Sequence, residues 1–469
     1  MMINYKVIPY DPKYAAQLAV MWNESMGAWP FGFGGGIPFN EQRMLDWMKE
    51  TAAISIELAL SDDDNTILGY CEMVRYEKEP EAAYISLLNV HPDFHGCKVG
   101  KALLKKAVER ATQLQVRRLD LNTWPANMKA VPLYKKTGFF WVPETTVYMQ
   151  NYIPLIAQQG PARDFFARHD WYDTYERCLE VREDDEKWHG MKAFQYTWRA
   201  GSEFLRVVVD REAKAITAIE NERWSVGSTI SDAAPVAGMD HQVCWLLENK
   251  AEQEVPIYLK ASGDEAVKLN AEFQQKLQGK TALEHRCDLK IGAEVPQKDK
   301  DEAANRIKTI AVVGTEAIVL ETGIRVRQPL TIDLYPGALP PFVAKGQKIK
   351  AYIRLKNNLD RPIAGRLQIT PSPGLTVAYQ DQNQDQDHQD RDQNGHFSAD
   401  ARHYAGIPVT LSCDQPGVYH LDALAFYNDD ESGRGGVGGD GGRERCSRIQ
   451  PLTAVIVPLG GSIAGITEK

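Results

Sequence analysis

Hydrophobic residues recur with two different periods along the first third of the chain. Runs in which every second residue is apolar predict strands, and runs with a spacing of three or four residues predict helices. The predicted strands cover residues 5–10, 54–60, 66–76, 82–90, 117–124 and, as a pair, 139–153. The predicted helices cover residues 14–26, 40–49 with Asn40 as the cap, 99–114 and 127–138. This order predicts an α/β domain built on a mixed sheet.

The pattern changes near residue 165, where short alternating runs are broken by Gly, Asp, Asn and Pro. AFQYTWRAG at 193–201 and KIKAYIRLKNN at 348–358 are examples. Such runs predict two all-β, sandwich-like domains, with one possible short helix at Glu302–Ile307. The chain is therefore predicted to be multidomain, with an α/β domain at 1–155, a β-rich domain at 156–325 and a β-sandwich at 326–469.

Two segments of the last domain have almost no apolar residues to bury, and we expect disordered inserts at 380–394 and 429–445. In the first of these, Asp381, Asn383 and Asp385 have the spacing of a calcium-binding loop. Gln386 stands where such a loop needs its sharp-turn glycine, so a polar insert is the preferred interpretation. No metal site is predicted.

Composition limits the classes of function. A chain of 469 residues with a net charge of −9 lacks the basic surface that nucleic-acid binding requires. It shows no signal peptide and no apolar run of membrane-spanning length, so neither nucleic acid nor membrane is an expected partner. Its seven cysteines are scattered without a CxxC pair, as in reduced cytoplasmic proteins. We expect a cytoplasmic protein, and its oligomeric state stays open.

A turn of small and basic residues, VHPDFHGCKVG at 90–100, separates a predicted strand from a predicted helix. Backbone N–H groups at the start of a helix are unsatisfied and carry partial positive charge, which suits a phosphate group. Gly96 and Gly100 are expected to let the backbone approach such a ligand closely. A βα turn without any ligand is the alternative.

A second motif, NMKAVPLYKKTGFF at 127–140, follows the next predicted strand. Together, VHPxxHxxKxG and NxxAxxLYxxxGF resemble the acetyl-CoA loop and the following helix of the GNAT N-acetyltransferase superfamily. The resemblance covers about residues 1–153. His95 stands where the family usually has Arg or Gln, and Lys98 stands where a glycine often follows. The β-rich remainder resembles bacterial immunoglobulin-like modules only generically.

The resemblance implies acetyl-CoA as co-substrate and a strand that separates from its neighbour to pair with the pantetheine arm. The implied cofactor-binding residues are Leu88, Asn89, Val90, His95, Gly96, Cys97, Lys98, Val99, Gly100, Lys101 and Asn127. Tyr134 is the implied general acid for the thiolate leaving group, and a helix tyrosine that only packs on the sheet is the alternative. The implied base is Glu81, with Glu72 as the other nearby carboxylate, and an ordinary surface carboxylate is the alternative for each.

The loop at 29–39 falls where the family closes over the acceptor. Trp29, Phe31 and Phe33 are therefore expected to form a wall of the acceptor pocket, and Glu24 to attract a cationic amine. The predicted function is an acetyl-CoA-dependent N-acetyltransferase acting on a small-molecule or peptide amine. The alternative is a non-catalytic GNAT fold that serves as a scaffold binding coenzyme A, protein or carbohydrate.

Overall fold

The structure is a computed structural model that describes residues 4–28, 34–77, 79–232, 234–292, 295, 298, 302–335, 347–379, 394–413, 417–428, 444–448 and 452–456. The chain divides into two compact units. The first comprises Met1–Ala233, His241–Leu289 and Lys298–Arg325, and the second comprises Ala234–Asp240, Lys290–Gln297 and Val326–Lys469. The boundaries of the three predicted domains stay a prediction. In the part of the chain that the structure describes, no helix is long and apolar enough to cross a bilayer.

A mixed sheet of seven strands forms the N-terminal part of the first unit. Its strands are β1 Tyr5–Pro9, β2 Ala53–Ser61, β3 Ile67–Arg75, β4 Ala82–Val90, β5 Arg118–Asn122, β6 Phe140–Trp141 and β7 Tyr148–Asn151. They lie side by side in the order β1-β2-β3-β4-β5-β7-β6. Only β4 and β5 run parallel, because a helix connects them. The predicted α/β fold with a mixed sheet is confirmed.

Helices cover both faces of this sheet. They are α1 Ala15–Ser25, α2 Glu41–Glu50, α3 Val99–Gln113 and α4 Val131–Lys136. α1 and α2 pack on one face, where Trp22 and Met44 share a core with Tyr70 of β3. α3 packs on the other face. Its Val99 lies so close to Gly69 of β3 that a Cβ atom on this glycine would be 2.8 Å from Cγ1 of Val99. The Asn40 side chain accepts the N–H of Arg43 and caps α2, as predicted.

After the seven-stranded sheet, the chain enters a second, β-rich part of the first unit through two helices, α5 Ile153–Ile156 and α6 Gly160–Arg168. The sequence patterns did not predict these two helices. A nine-stranded sheet follows. Its strands are β8 Tyr175–Glu176, β9 Glu186–Trp188, β10 Met191–Ala200, β11 Glu203–Asp210, β12 Ala215–Asn221, β13 Trp224–Ile230, β14 Asp240–Asn249, β16 Val267–Lys268 and β18 Thr281–Ile291. Its order is β16-β18-β14-β13-β12-β11-β10-β8, with β9 also paired to β10.

A four-stranded sheet packs against this nine-stranded one. It contains β15 Val255–Gly263, β17 Asn270–Leu277, β19 Asn305–Val313 and β20 Glu316–Ile324. The hydroxyls of Thr217 and Thr322 lie 3.0 Å apart between the two sheets, and the Trp245 indole donates to Thr309. The possible helix at Glu302–Ile307 is wrong, because residues from Asn305 onward alternate buried and exposed and pair with β20.

Ion pairs and aromatic rings join the N-terminal sheet to the β-rich part of the first unit. Arg118 of β5 pairs with Asp120 at 2.6 Å and with Glu79 at 2.8 Å, and Glu79 also pairs with Lys214. The Tyr196 hydroxyl accepts the N–H of Tyr152. A further set of ion pairs contains Arg117, Glu321, Arg306 and Glu81.

The second unit is all β. Its first sheet contains β21 Leu330–Tyr335, β22 Ile349–Asn357, β24 Leu375–Tyr379 and β26 Tyr404–Cys413. Its second sheet contains β23 Ile363–Pro371, β25 Asn394–Ala399, β27 Gly417–Asn428, β28 Glu444–Arg448 and β29 Leu452–Ile456. Ile353, Leu367 and Ala425 belong to one core that both sheets share. The predicted inserts at 380–394 and 429–445 lie outside the described residues except for Asn394, Glu444 and Arg445, which belong to strands.

Candidate active site

The N-terminal sheet opens between its two parallel strands. β4 and β5 pair at Ala82↔Arg118, Ala83↔Leu119 and Tyr84↔Asp120, and no described pairing continues beyond Tyr84. β4 nevertheless extends to Val90, still paired with β3 on its other side. A register shift opposite Glu72 and Met73 marks a bulge in β4, and bulges redirect strands in this way. Residues 85–90 therefore present one free backbone edge to the opening.

The predicted phosphate loop lies at the end of this free edge. His91 Nδ1 accepts the N–H of Asp93 at 3.2 Å, and His95 Nε2 lies 3.0 Å from the carbonyl oxygen of Val90. Gly96 has φ +84° and Lys98 has φ +64°, so the chain turns sharply into α3. The N–H groups of Gly96 and of residues 98–101 have no partner among the described residues. The loop thus presents a set of free donors at a helix N-terminus.

The two glycines of the loop differ in what surrounds them. A Cβ atom on Gly96 would meet nothing within 4 Å, and its positive φ favours glycine. A Cβ atom on Gly100 would lie 3.2 Å from Cδ2 of Leu133 and 3.5 Å from Cγ2 of Val90. Gly100 therefore packs closely against α4 and β4, and its predicted role in letting a ligand approach the backbone stays a prediction.

Lys98 stores backbone strain at the start of α3, since left-handed backbone is unfavourable for a residue with a Cβ atom. We expect Lys98→Gly to raise the free energy of opening of α3 by about 1 kcal/mol, measured by native-state hydrogen exchange of its amides. Lys106→Gly, in the middle of the same helix, should lower it by about 1 kcal/mol. A loss of protection in both variants would contradict the strain at Lys98.

Tyr134 lies on α4 and has 8% of its surface exposed. Its ring meets Phe139 edge-on, with 6.2 Å between the centroids. Burial, followed by the nearby Cys71 and Tyr84, raises the pKa of Tyr134 to about 12. Its hydroxyl has no hydrogen-bond partner among the described residues. Because Tyr84 is the last residue of β4 paired with β5, this protonated hydroxyl lies near the place where the sheet opens.

These features coincide with a family match. The model of the acetyltransferase (GNAT) family matches residues 20–139, which include the opening, the loop and Tyr134. Residues 20–139 form a GNAT domain. No curated protein matches the chain.

Solved structures align with about a third of the chain. A GNAT-family acetyltransferase from Streptococcus pneumoniae is 22% identical over 32% of this chain and 98% of its own, with a TM-score of 0.27. One from Staphylococcus aureus Mu50 is 16% identical over 32% of this chain and 99% of its own, with a TM-score of 0.27. PaiA N-acetyltransferase from Thermoplasma acidophilum, in complex with coenzyme A, is 16% identical over 32% and 99%, with a TM-score of 0.25.

Several predicted cofactor residues of the GNAT domain have side chains engaged elsewhere. Val99 is buried against Gly69, and the Lys101 ammonium lies 3.9 Å from the centre of the Tyr172 ring. Asn127 precedes α4 rather than beginning it, and its side chain donates to Thr123 Oγ1 at 2.9 Å. Val99 can therefore contribute its backbone N–H to the loop, but not its side chain. Leu88, Asn89 and Val90 form the end of the free edge, and Cys97 is half-buried in the loop.

The residues that were predicted to bind the acceptor are only partly among those that the structure describes. Trp29, Phe31 and Phe33 lie outside the described residues. The Glu24 carboxylate is largely exposed and lies 2.6 Å from Nε2 of the buried His91. Because His91 Nδ1 accepts a hydrogen bond from an N–H group, the ring proton is on Nε2, which donates a hydrogen bond to Glu24. Glu24 is thus held at the end of β4, beside the opening.

Glu81 lies just before the end of β4 that pairs with β5. Glu81 precedes β4 at the end opposite to the loop, about 30 Å from Val90 at the rise of an extended strand. Its side chain is exposed and lies 3.8 Å from Arg117 and 3.7 Å from Arg306. Glu81 therefore belongs to the ion pairs that join the two parts of the first unit, and its role as a base stays a prediction.

Glu72 is the carboxylate that lies near the opening. It is 5% exposed and accepts a hydrogen bond from the Tyr70 hydroxyl at Oε2 and one of 2.8 Å from Ser86 at Oε1. Ser86 lies at the bulge of β4. Alternation along β3 puts Glu72 on the face of α1 and α2 with Tyr70, whereas Cys71, near Tyr134, shares the face of α3. The sequence feature that could have indicated Glu72 is Tyr70, two residues earlier in the same strand. Side chains two residues apart lie on the same face of a strand, so the two can form a hydrogen bond.

Proposed function

We propose that this protein is an acetyl-CoA-dependent N-acetyltransferase that acetylates an amine of a small molecule or peptide. One observation carries the proposal. The opening between β4 and β5 has the protonated Tyr134 hydroxyl near it on one face of the sheet and the buried Glu72 carboxylate on the other. A thioester held in such an opening is accessible to an amine from one side and to a proton donor from the other.

The chain supplies two binding surfaces for acetyl-CoA. The free N–H groups of Gly96 and residues 98–101 suit the diphosphate, since donors at a helix N-terminus favour an anion. The free edge of residues 85–90 suits the amide groups of the pantetheine arm, which can bond to it as an added strand does. Both surfaces are backbone, so the Lys98 side chain leaves them intact, whereas His95 Nε2 lies 3.0 Å from the Val90 carbonyl oxygen at the end of the edge.

In the proposed reaction, the acceptor nitrogen attacks the thioester carbonyl carbon, a C–N bond forms and the C–S bond breaks. Glu72, directly or through Ser86, accepts the proton that the amine loses. Tyr134 donates its proton to the departing sulfur. Glu24, fixed by His91, supplies negative charge at the end of β4 where a cationic amine can approach.

Titration calorimetry of the full chain with acetyl-CoA tests the binding step, and release of free thiol with a panel of amines tests the transfer. We expect a dissociation constant in the micromolar range, about −8 kcal/mol. S-acetylpantetheine, which lacks the diphosphate, should bind more weakly. Equal affinity for both would remove the loop from the site. No binding at millimolar acetyl-CoA would overturn the proposal and leave the scaffold alternative.

A further inference from the structure

A cleft of about 520 Å³ lies in the first unit, behind the helix that carries Tyr134. Its floor is the outward face of β10 and β11, and one wall is formed by Lys135, Phe139 and Phe140 of the GNAT side. A second hollow of about 190 Å³ continues along the same sheet, and Arg206 and Glu220 line both. Neither hollow includes residues of the phosphate loop. The two together form a groove long enough for more than one ring-sized unit.

Six charged side chains of this groove form three ion pairs with one another. Arg199 Nε lies 2.9 Å from Glu176, Arg206 lies 3.4 Å from Glu220, and Lys135 lies 2.8 Å from Asp184. A charged ligand would have to break these pairs or be taken up without a counter-charge, and either costs free energy. A neutral ligand can bond to their remaining donors and acceptors without disturbing them.

The polar groups of the floor are planar and close together. Gln195 accepts from Arg206 and donates to Glu186 at 3.2 Å, so carboxylate, amide and guanidinium lie side by side on β9, β10 and β11. Such planar groups offer adjacent donors and acceptors, which match the paired hydroxyls of a polyol. Thr197 adds a hydroxyl beside them.

Aromatic rings supply the apolar part of the groove. Phe204 is half-buried at one side and Trp188 lines the second hollow. Tyr175 is 7% exposed, yet its hydroxyl has no partner among the described residues. Burial, then Asp184 and, more weakly, Glu186 and Cys178, raise its pKa, so this hydroxyl faces residues that line the cleft. A hydroxyl without a protein partner in a cleft is a group to which a ligand can form a hydrogen bond.

From this combination we infer that the groove on β10 and β11 binds a neutral carbohydrate, with sugar hydroxyls on the Gln195–Arg206–Glu186 side chains and C–H faces on the aromatic rings. The connected hollows fit an oligosaccharide better than a single sugar. The inference does not depend on acetyl transfer, because no residue of β4 or β5 lines the groove.

The exposed thiol of Cys178 in the cleft allows a direct test on the full chain. The rate of its alkylation by a maleimide is measured with cellotriose, maltotriose, triacetylchitotriose or trigalacturonic acid at about 10 mM. We expect at least one neutral trisaccharide to slow the reaction roughly threefold, as for a dissociation constant near 5 mM, and the charged one to have no effect. Cys287, half-buried and outside the groove, is the internal reference.

Thr197→Trp should fill the cleft and abolish the protection, whereas the matched Thr281→Trp, at an exposed strand end, should preserve it. Buried Cys71 reports folding, because it stays unreactive in an intact protein. The inference is overturned if no neutral trisaccharide protects Cys178, if Cys287 is slowed equally, if trigalacturonic acid protects best, or if protection survives in a folded Thr197→Trp protein.

Discussion

Replacing Tyr134 by Phe should lower kcat by about 100- to 10,000-fold, the usual worth of general-acid help. The ring and its contact with Phe139 remain, so the affinity for acetyl-CoA should change little. Because burial raises the pKa of Tyr134 to about 12, its hydroxyl stays protonated throughout an ordinary assay range. If the proposal holds, deprotonation of Tyr134 should cause no loss of kcat in the native protein at any pH below about 12.

The measurement is steady-state kinetics of both proteins with the best acceptor amine, together with a binding titration. Tyr76→Phe is the matched control, since it removes a hydroxyl from a half-buried ring of the same domain that stacks on Tyr84. Its kcat should be unchanged. Equal kcat in the native and Tyr134→Phe proteins would remove Tyr134 from the reaction.

Replacing Glu72 by Gln should lower kcat by a similar factor of about 100 to 10,000, because the acceptor amine loses its proton acceptor. Glutamine keeps the volume and can still bond to Tyr70 and Ser86, so folding should be retained. The residual rate should rise with pH as solvent deprotonates the amine. The kcat profile of both proteins against pH, with the same acceptor, gives the comparison.

Glu57→Gln is the control for this experiment. Glu57 is equally buried at 5% exposure, but it pairs across the strands with Cys71 on the face of α3 and bonds to Ser55. We expect its removal to leave the shape of the pH profile intact. If both variants lose activity to the same extent and with the same profile, the effect of Glu72 is structural and the base lies elsewhere.

The fold of the GNAT domain could be predicted from periodicity because each of its elements buries one stripe or one face. The failures lie where local signals compete. Glu302–Ile307 has a helix-favouring composition, yet its apolar residues continue the alternation of β19. α6 begins at Gly160 and Pro161, residues that rarely indicate a helix, although Pro is well suited to a first turn.

For the candidate site, the sequence predicted where the backbone forms the loop, but it did not predict which side chains contact each other across neighbouring strands. The loop could be predicted because glycines and a helix start are local features. Glu72 could not be chosen over Glu81, since what distinguishes them is the neighbour across the strands, Ser86 for one and exposed arginines for the other. The groove on β10 and β11 was not predicted at all, because its residues come from segments far apart in the chain.

The ion pairs at the base of the GNAT sheet decide how this chain can be engineered. Glu79 is shared between Arg118 and Lys214, and Arg117 is shared between Glu81 and Glu321. A GNAT domain transplanted without its β-rich neighbour would carry unmatched charges and an exposed aromatic surface at Phe140, whose ring lies 4.7 Å from that of Phe194. Chimeras of this protein should therefore not be joined after the last strand of the GNAT sheet. A break near Arg325 keeps these contacts, but the exchanged piece then also carries Ala234–Asp240 and Lys290–Gln297, which belong to the second unit.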